Sequence, residues 1–299
     1  MRPLVFHPIY SQLDLPFRHR FPIEKYQGIR DCLASLGVPD SQFYQPDAIS
    51  VAELCHVFNP LYVQQLVSGS LDPQAMRRIG FPWSEQLIRR SLTAVGGTVL
   101  TAKLALEHGK ALNLTGGYHH AFANYGSGFC LFNDLYLAAI SMLQTKGIDK
   151  VLIFDCDVHQ GDGTAKLASH NPMIYTVSIH GEKNFPTRKQ VSDLDFNLAK
   201  GTQDDEYLST VDEALSLALT VFGPDAVIYD AGVDVHINDD LGHLHITTEG
   251  VYQRDKLVFD TCRQKGLPVA AVIGGGYQRD ISALVNVHLQ LYRAAGIVP

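Results

Sequence analysis

Between residues 111 and 273 the chain alternates short, almost unbroken apolar runs with longer amphipathic segments. The runs cover residues 111–114, 151–154, 173–179, 226–229 and 269–273. A strand wet on one face alternates polar and apolar residues, so a run that is apolar at nearly every position predicts a parallel strand covered on both faces. Helical segments over 134–146, 204–222 and 247–265 separate most of the runs, the last closed by Gly266-Leu267-Pro268. The first hundred residues read as mostly helical. Ile23, Tyr26, Ile29 and Leu33 follow helical spacing, and Ser50-Val51-Ala52-Glu53 has the form of a capping box. Residues 84–108 form one long helix stopped by Gly109. The pattern predicts an α/β fold: a single domain over 1–299 with an open, mostly parallel sheet and helices on both faces.

Composition narrows the function. A chain of 299 residues with 46% hydrophobic content can bury a large core, and no linker, repeat or low-complexity stretch marks a second domain. Acidic residues number 31 against 24 basic ones, with no basic cluster longer than Arg89-Arg90, so neither nucleic acid nor an anionic membrane is an expected partner. The first residues lack the apolar core of a signal peptide and no segment approaches the length of a membrane span, which makes the cytoplasm the expected location. Cys32, Cys55, Cys130, Cys156 and Cys262 are scattered and form no Cys-x-x-Cys pair, so they read as core residues rather than disulfides or a thiolate site.

Candidate chemistry sits where the apolar runs end. They lead into Gly116-Gly117-Tyr118-His119-His120, Asp155-Cys156-Asp157-Val158-His159, Ser178-Ile179-His180-Gly181, Asp230-Ala231-Gly232-Val233-Asp234 and Gly274-Gly275-Gly276-Tyr277. In a parallel sheet these strand ends share one edge, and ligands bind in the crevice there. Asp157 and His159, at i and i+2 of extended chain, point the same way, and Asp234 arrives from another strand end. One imidazole and two carboxylates with room for water suit a catalytic divalent metal, zinc above all, with Fe(II) or Co(II) as alternatives. A single Asp after a strand is more often a helix cap. Asp155, Asp157, His159, Asp162 and Asp234 together, beside a tandem His pair, outweigh that reading. No Gly-x-Ser-x-Gly elbow, His-Glu-x-x-His motif or phosphate loop is present. His236, His243 and His245 read as a polar rim loop.

These loops, with Gly128-Phe129-Cys130 and Asn133-Asp134, resemble the histone deacetylase family of the arginase-deacetylase superfamily from about residue 18 to residue 285. Arg78-Ile79-Gly80-Phe81-Pro82-Trp83, His159-Gln160-Gly161 and Gly275-Gly276-Tyr277-Gln278 look most like the class IV branch. The resemblance implies zinc-dependent hydrolysis of an N-acyl-lysine amide, with one Zn2+ per chain held by Asp157, His159 and Asp234. It implies that His119 pairs with Asp155 and His120 with Asp162, that Tyr277 faces the metal, and that His120 is the proton shuttle beside an electrostatic partner, His119. It makes Phe129 and Phe185 walls of the acyl-lysine channel and gives the Gly128 carbonyl to the substrate N–H. It also allows a structural K+ near the Asp155 to His159 loop, with Ser178 among its ligands. The substrate is then an acylated lysine of a protein or peptide, or a small acylated amine such as an acetylated polyamine. Class IV relatives include long-chain deacylases, and the side-chain-free loops at Gly116-Gly117 and Gly274-Gly275-Gly276 lead us to expect an apolar cavity beyond the metal. The rivals are a two-manganese ureohydrolase and a non-catalytic acyl-lysine-binding module.

Overall fold

In the computed structural model, which describes residues 2–299, the strands are β1 (Leu4–Val5), β2 (Phe43–Tyr44), β3 (Lys110–Asn113), β4 (Val151–Asp155), β5 (Ile174–Gly181), β6 (Leu194–Leu198), β7 (Ala226–Asp230) and β8 (Val269–Val272). They form one sheet in the order β2-β1-β3-β8-β7-β4-β5-β6, and every described pairing is parallel. The five apolar runs are the five strands β3, β4, β5, β7 and β8. Their unbroken apolarity has the expected cause. In β4, Leu152 and Phe154 enter one core while Val151 and Ile153 enter the other, and in β7 Val227 and Tyr229 part in the same way from Ala226 and Ile228.

Helices close both faces. Ala102, Leu104 and Ala105 of helix Glu85–His108, with Leu135, Ala138 and Ala139 of Asp134–Leu143, cover one. Val211 and Leu215 of Asp204–Val221, Val251 and Val258 of Thr248–Lys265, and Leu284 and Val287 of Ile281–Ala294 cover the other. Among the described residues no helix is long and apolar enough to cross a membrane. The pattern had no means of finding β1 and β2, which are two residues each, nor β6. That strand reads Leu-Asp-Phe-Asn-Leu at the sheet edge, with one face covered, and so alternates.

Register places the chemistry. Ser178, Asp155, Asp230 and Val272 are partners in turn across β5, β4, β7 and β8. The loops after β4, β7 and β8 therefore leave the sheet from one level line, whereas Ser178 to Gly181, expected as a loop, continue as strand beside β6.

The Glu85–His108 helix carries Gly96 and Gly97 mid-length, where glycine costs about 1 kcal/mol each against alanine. The cost is offset by close approach. A Cβ on Gly96 would overlap the carbonyl oxygen of Asp47, and one on Gly97 the Tyr10 hydroxyl. The Asp47 segment cannot simply step aside, because the Ile49 N–H donates to Leu92 O of the helix at 3.1 Å. We predict that Gly96→Ala lowers the unfolding free energy, read from a lower urea midpoint, by about 1–2 kcal/mol despite the better helix former, since overpacking of this kind typically costs about 1–3 kcal/mol. A raised midpoint would show that the segment yields freely.

Candidate active site

β4 and β7 are neighbours, and the loops after them bring Asp157, His159 and Asp234 together. His159 Nδ1 lies 3.0 Å from Asp157 Oδ1 and 3.1 Å from Asp234 Oδ2. The carboxylates are aimed by backbone donors: Gly275 N–H donates to Asp157 Oδ2 at 2.7 Å and Val158 N–H to Asp234 Oδ1 at 2.8 Å. Burial, and then the charge of Asp157, pushes the Asp234 carboxyl up to about 7. Two carboxylates thus face each other out of water and share a single imidazole. That donor set fits a divalent cation, which would relieve the repulsion.

His119 and His120 stand beside this group. His119 Nδ1 is 2.8 Å from Asp155 Oδ2, His120 Nδ1 is 2.6 Å from Asp162 Oδ1, and the two Nε2 atoms are 3.1 Å apart. The rings differ electrostatically. For His119, burial opposes the charged form, but Asp155, Asp157 and Asp230 outweigh it and hold the pKa well above its ordinary value. For His120, burial and then the charge of His119 win over Asp162 and hold the pKa down to about 4. The shifts favour the charged form of His119 and the neutral form of His120, whose Nδ1–H then donates to Asp162 while its Nε2 faces the His119 Nε2 and the cleft.

The remaining expected residues line a cleft of about 520 Å3 that opens over His120 and His159. Phe129 and Phe185 are on its wall, and the Phe185 ring meets that of His120 edge-on at 4.8 Å. Phe129 has a φ of 66°, a conformation uncommon outside glycine, and it is held there by its N–H donating to Ile79 O at 2.7 Å. This explains why the Arg78 to Phe81 stretch belongs with the site: it carries the channel wall. Gly128 precedes it at φ 52°, close enough to His120 that a Cβ would lie 2.6 Å from the imidazole carbon Cδ2. Tyr277 also lines the cleft, with its ring 6.2 Å from that of His159, and burial followed by Asp157 and Asp234 keeps its phenol protonated. Ser178 is opposite Asp155 in register, with its hydroxyl 3.0 Å from His180 Nδ1. Of the rim histidines, His243 lines the cleft and His245 is exposed.

The cavity expected beyond the metal group needs correction. The glycines serve close approach, not open space. A Cβ on Gly116 would lie 2.7 Å from Val272, one on Gly117 2.7 Å from Asp230, and one on Gly275 would overlap Asp234. What remains is a space of about 20 Å3, walled in part by Lys25. Lys25 is buried, its Nζ donates to Gly274 O at 3.1 Å and Gly276 O at 3.4 Å, and burial lowers its pKa to about 8 against the pull of Asp234 and Asp157.

Three residues here were given no role from the sequence. Lys25 did leave a signal, since it falls on the same helical stripe as Ile29 and Leu33, where a charge is out of place. Asp230 is buried with both carboxylate oxygens unpartnered, 3.9 Å from His119 Nδ1, and burial and then Asp155 raise its pKa well above normal. Asp239 accepts the Tyr277 N–H at 2.7 Å, and those of Leu241 and Gly242, which ties the Tyr277 loop to the rim. Asp230 opens one of the strand-end loops but carries no further signal in sequence, and Asp239 does not stand out from its neighbours.

Known proteins are similar to this chain. The histone deacetylase domain matches residues 19–291. An uncharacterized protein of Picosynechococcus sp. is 49% identical over 98% of both chains. Histone deacetylase 2 of Arabidopsis thaliana is 35% identical over 96% of this chain and 78% of its own, and the acetoin utilization protein AcuC of Bacillus subtilis 30% over 91% and 76%. Among solved structures, the crystal structure of an HDAC homolog complexed with SAHA superposes with a TM-score of 0.83 at 22% identity, covering 99% of this chain and 84% of that one. A domain match that runs unbroken from the Lys25 helix through the Tyr277 loop makes this chain a member of the histone deacetylase family.

Proposed function

We propose that this hydrolase removes a short acyl group from the side chain of an N-acyl-lysine in a protein or peptide, with zinc at Asp157, His159 and Asp234. The observation that carries the reading is the tandem histidine pair, each ring held by its own carboxylate, beside Asp157, His159 and Asp234 and with His120 on the open cleft. When bound, the ion polarises the amide carbonyl and acidifies the attacking water. His120 Nε2 accepts the proton of that water and returns it to the leaving lysine nitrogen, so the group ends the cycle unchanged. His119, paired with Asp155, stays charged and offsets the growing negative charge. The Tyr277 hydroxyl donates to the oxyanion, the Gly128 carbonyl accepts the substrate N–H, and Phe129 and Phe185 flank the lysine methylenes.

Two features support this substrate over its rivals. The charged side chains that line the cleft are Arg78 and Lys183. Acylation removes the lysine charge, whereas an acylated polyamine keeps an ammonium that must pass this mouth without a counter-charge. The roughly 20 Å3 behind the metal group holds about one water, so an acetyl methyl fits where an octanoyl chain, as class IV likeness would allow, needs Lys25 and its glycine loop to move. His119, Asp155 and Asp230 also converge, but a two-manganese centre is disfavoured, because a Cβ on Gly161 would overlap Asp155 and one on Gly232 would lie 2.5 Å from Asp157 Oδ2, which leaves no room there for additional bridging acids.

A substrate panel tests the reading. We expect kcat/KM to fall steeply from acetyl through butyryl to octanoyl on one lysine peptide, to be low for acetylated polyamines, and to vanish with a zinc chelator. A flat or rising series would reject the short-acyl assignment, preference for polyamines would reject the peptide, and failure to hydrolyse any member would favour a binding module.

Tyr277→Phe should keep its fold and metal while kcat drops about 100-fold or more, the usual cost of deleting one oxyanion donor. A change in KM alone would make the hydroxyl a binding group.

His120→Ala should be more damaging than His119→Ala, with metal retained in both, because a proton shuttle is worth roughly a hundredfold to ten-thousandfold. The reverse order would exchange their roles.

A further inference from the structure

A fully buried arginine lies beneath the two loops that carry the metal-ligating carboxylates. Arg254 belongs to helix Thr248–Lys265 and has no exposed surface. Its Nη1 donates to Gly232 O at 2.6 Å and reaches Cys156 O at 3.4 Å, while its Nη2 donates to Ala231 O at 3.2 Å. Cys156 stands between Asp155 and Asp157, and Ala231 and Gly232 stand between Asp230 and Asp234. One planar fork thus holds the backbone of both loops from below. The assembly extends outward: Nη1 also donates to the Tyr207 hydroxyl at 3.3 Å, which donates to Cys156 O at 3.5 Å. Nε donates to Asp255 Oδ1 at 2.9 Å, and the Tyr229 hydroxyl donates to the same oxygen at 2.5 Å.

Stability alone is a weak account of this group. A buried ion pair such as Arg254 with Asp255 is often no better for folding than apolar side chains of the same volume. What the guanidinium does that an apolar residue cannot is fix carbonyls from two separate strand ends at once. Asp157 and Asp234 come from different strands and must meet His159 within the tolerance of a chelate, so the spacing of their loops is the quantity that matters. A lysine keeps the charge but lacks the fork.

We infer that Arg254 is a positioning residue that sets the spacing of Asp157 and Asp234, and through it the affinity of the metal site. The inference rests on the metal-site reading above. Its test is the zinc dissociation constant of the purified full chain, measured by competition with a fluorescent chelator, beside the melting temperature of the metal-free protein. Arg254→Lys and Arg254→Met are expected to weaken zinc binding about 10- to 100-fold, the usual effect of losing a group that orients ligands. Tyr207→Phe, a milder change that deletes only a bridging hydroxyl, should weaken it in the same direction by less. Val258→Ala, a cavity in the same helix, is expected to lower the melting temperature and leave the dissociation constant unchanged. The inference is overturned if Arg254→Lys or Tyr207→Phe binds zinc as the unaltered chain does, or if Val258→Ala weakens binding as much as they do. Asp234→Ala separates the two levels. Retention of full zinc there rejects the site itself, whereas loss there with unchanged affinity in the Arg254 and Tyr207 variants rejects only the positioning role.

Discussion

Taking a carboxylate out of water without a partner costs several kcal/mol, and the carboxyl edge of this sheet buries Asp155, Asp157, Asp162, Asp230 and Asp234 together. The site is arranged around that charge. Asp155 and Asp162 are each matched by a histidine, Asp157 and Asp234 share His159, and Asp230, which has no hydrogen-bond partner among the described residues, is driven toward its protonated form. The surplus between Asp157 and Asp234 is the structural reason for placing a divalent cation there. Against burial, Asp155, then Asp157 and Asp230, favour the charged form of His119, and that charge in turn helps burial favour the neutral form of His120. Acid, base and metal ligands are thus one electrostatic system, not separate devices.

Such a cluster needs backbone that comes very close to carboxylates, which is where the glycines act. Gly275 lies so near Asp234 and Asp157 that any side chain would collide, and its N–H is spent on Asp157. Gly161, Gly232 and Gly117 make room for Asp155, Asp157 and Asp230 in the same way. Loops without side chains therefore raise the density of the site instead of opening a cavity behind it. Lys25 completes the packing by tying its ammonium to the carbonyls of Gly274 and Gly276. This crowding is what favours a small acyl group in the reaction we propose, and the wider, aromatic-walled cleft above it suits the stem of a lysine.

Much of this was legible in the chain. The apolar runs specify strands covered on both faces, because only a layer of helices on each side can bury a strand with no polar alternation, and the runs found the five strands that matter. The strand-end loops bring to one sheet edge a His/Asp group that could hold a metal, because a parallel sheet sends all its carboxyl ends the same way. His119, His120, Asp157, His159, Asp234 and Tyr277 were recognisable for that reason. Lys25 was visible in outline as a charge on an apolar helical stripe. What the sequence cannot carry is distance between segments far apart in the chain. The register that levels Asp155 with Asp230, the small size of the space beyond the metal group, the opposite pKa shifts of two adjacent histidines and the bridge from Arg254 to both loops all depend on which surfaces meet in three dimensions. A glycine looks the same in sequence whether it borders a cavity or a carboxylate, and only the packed structure decides which.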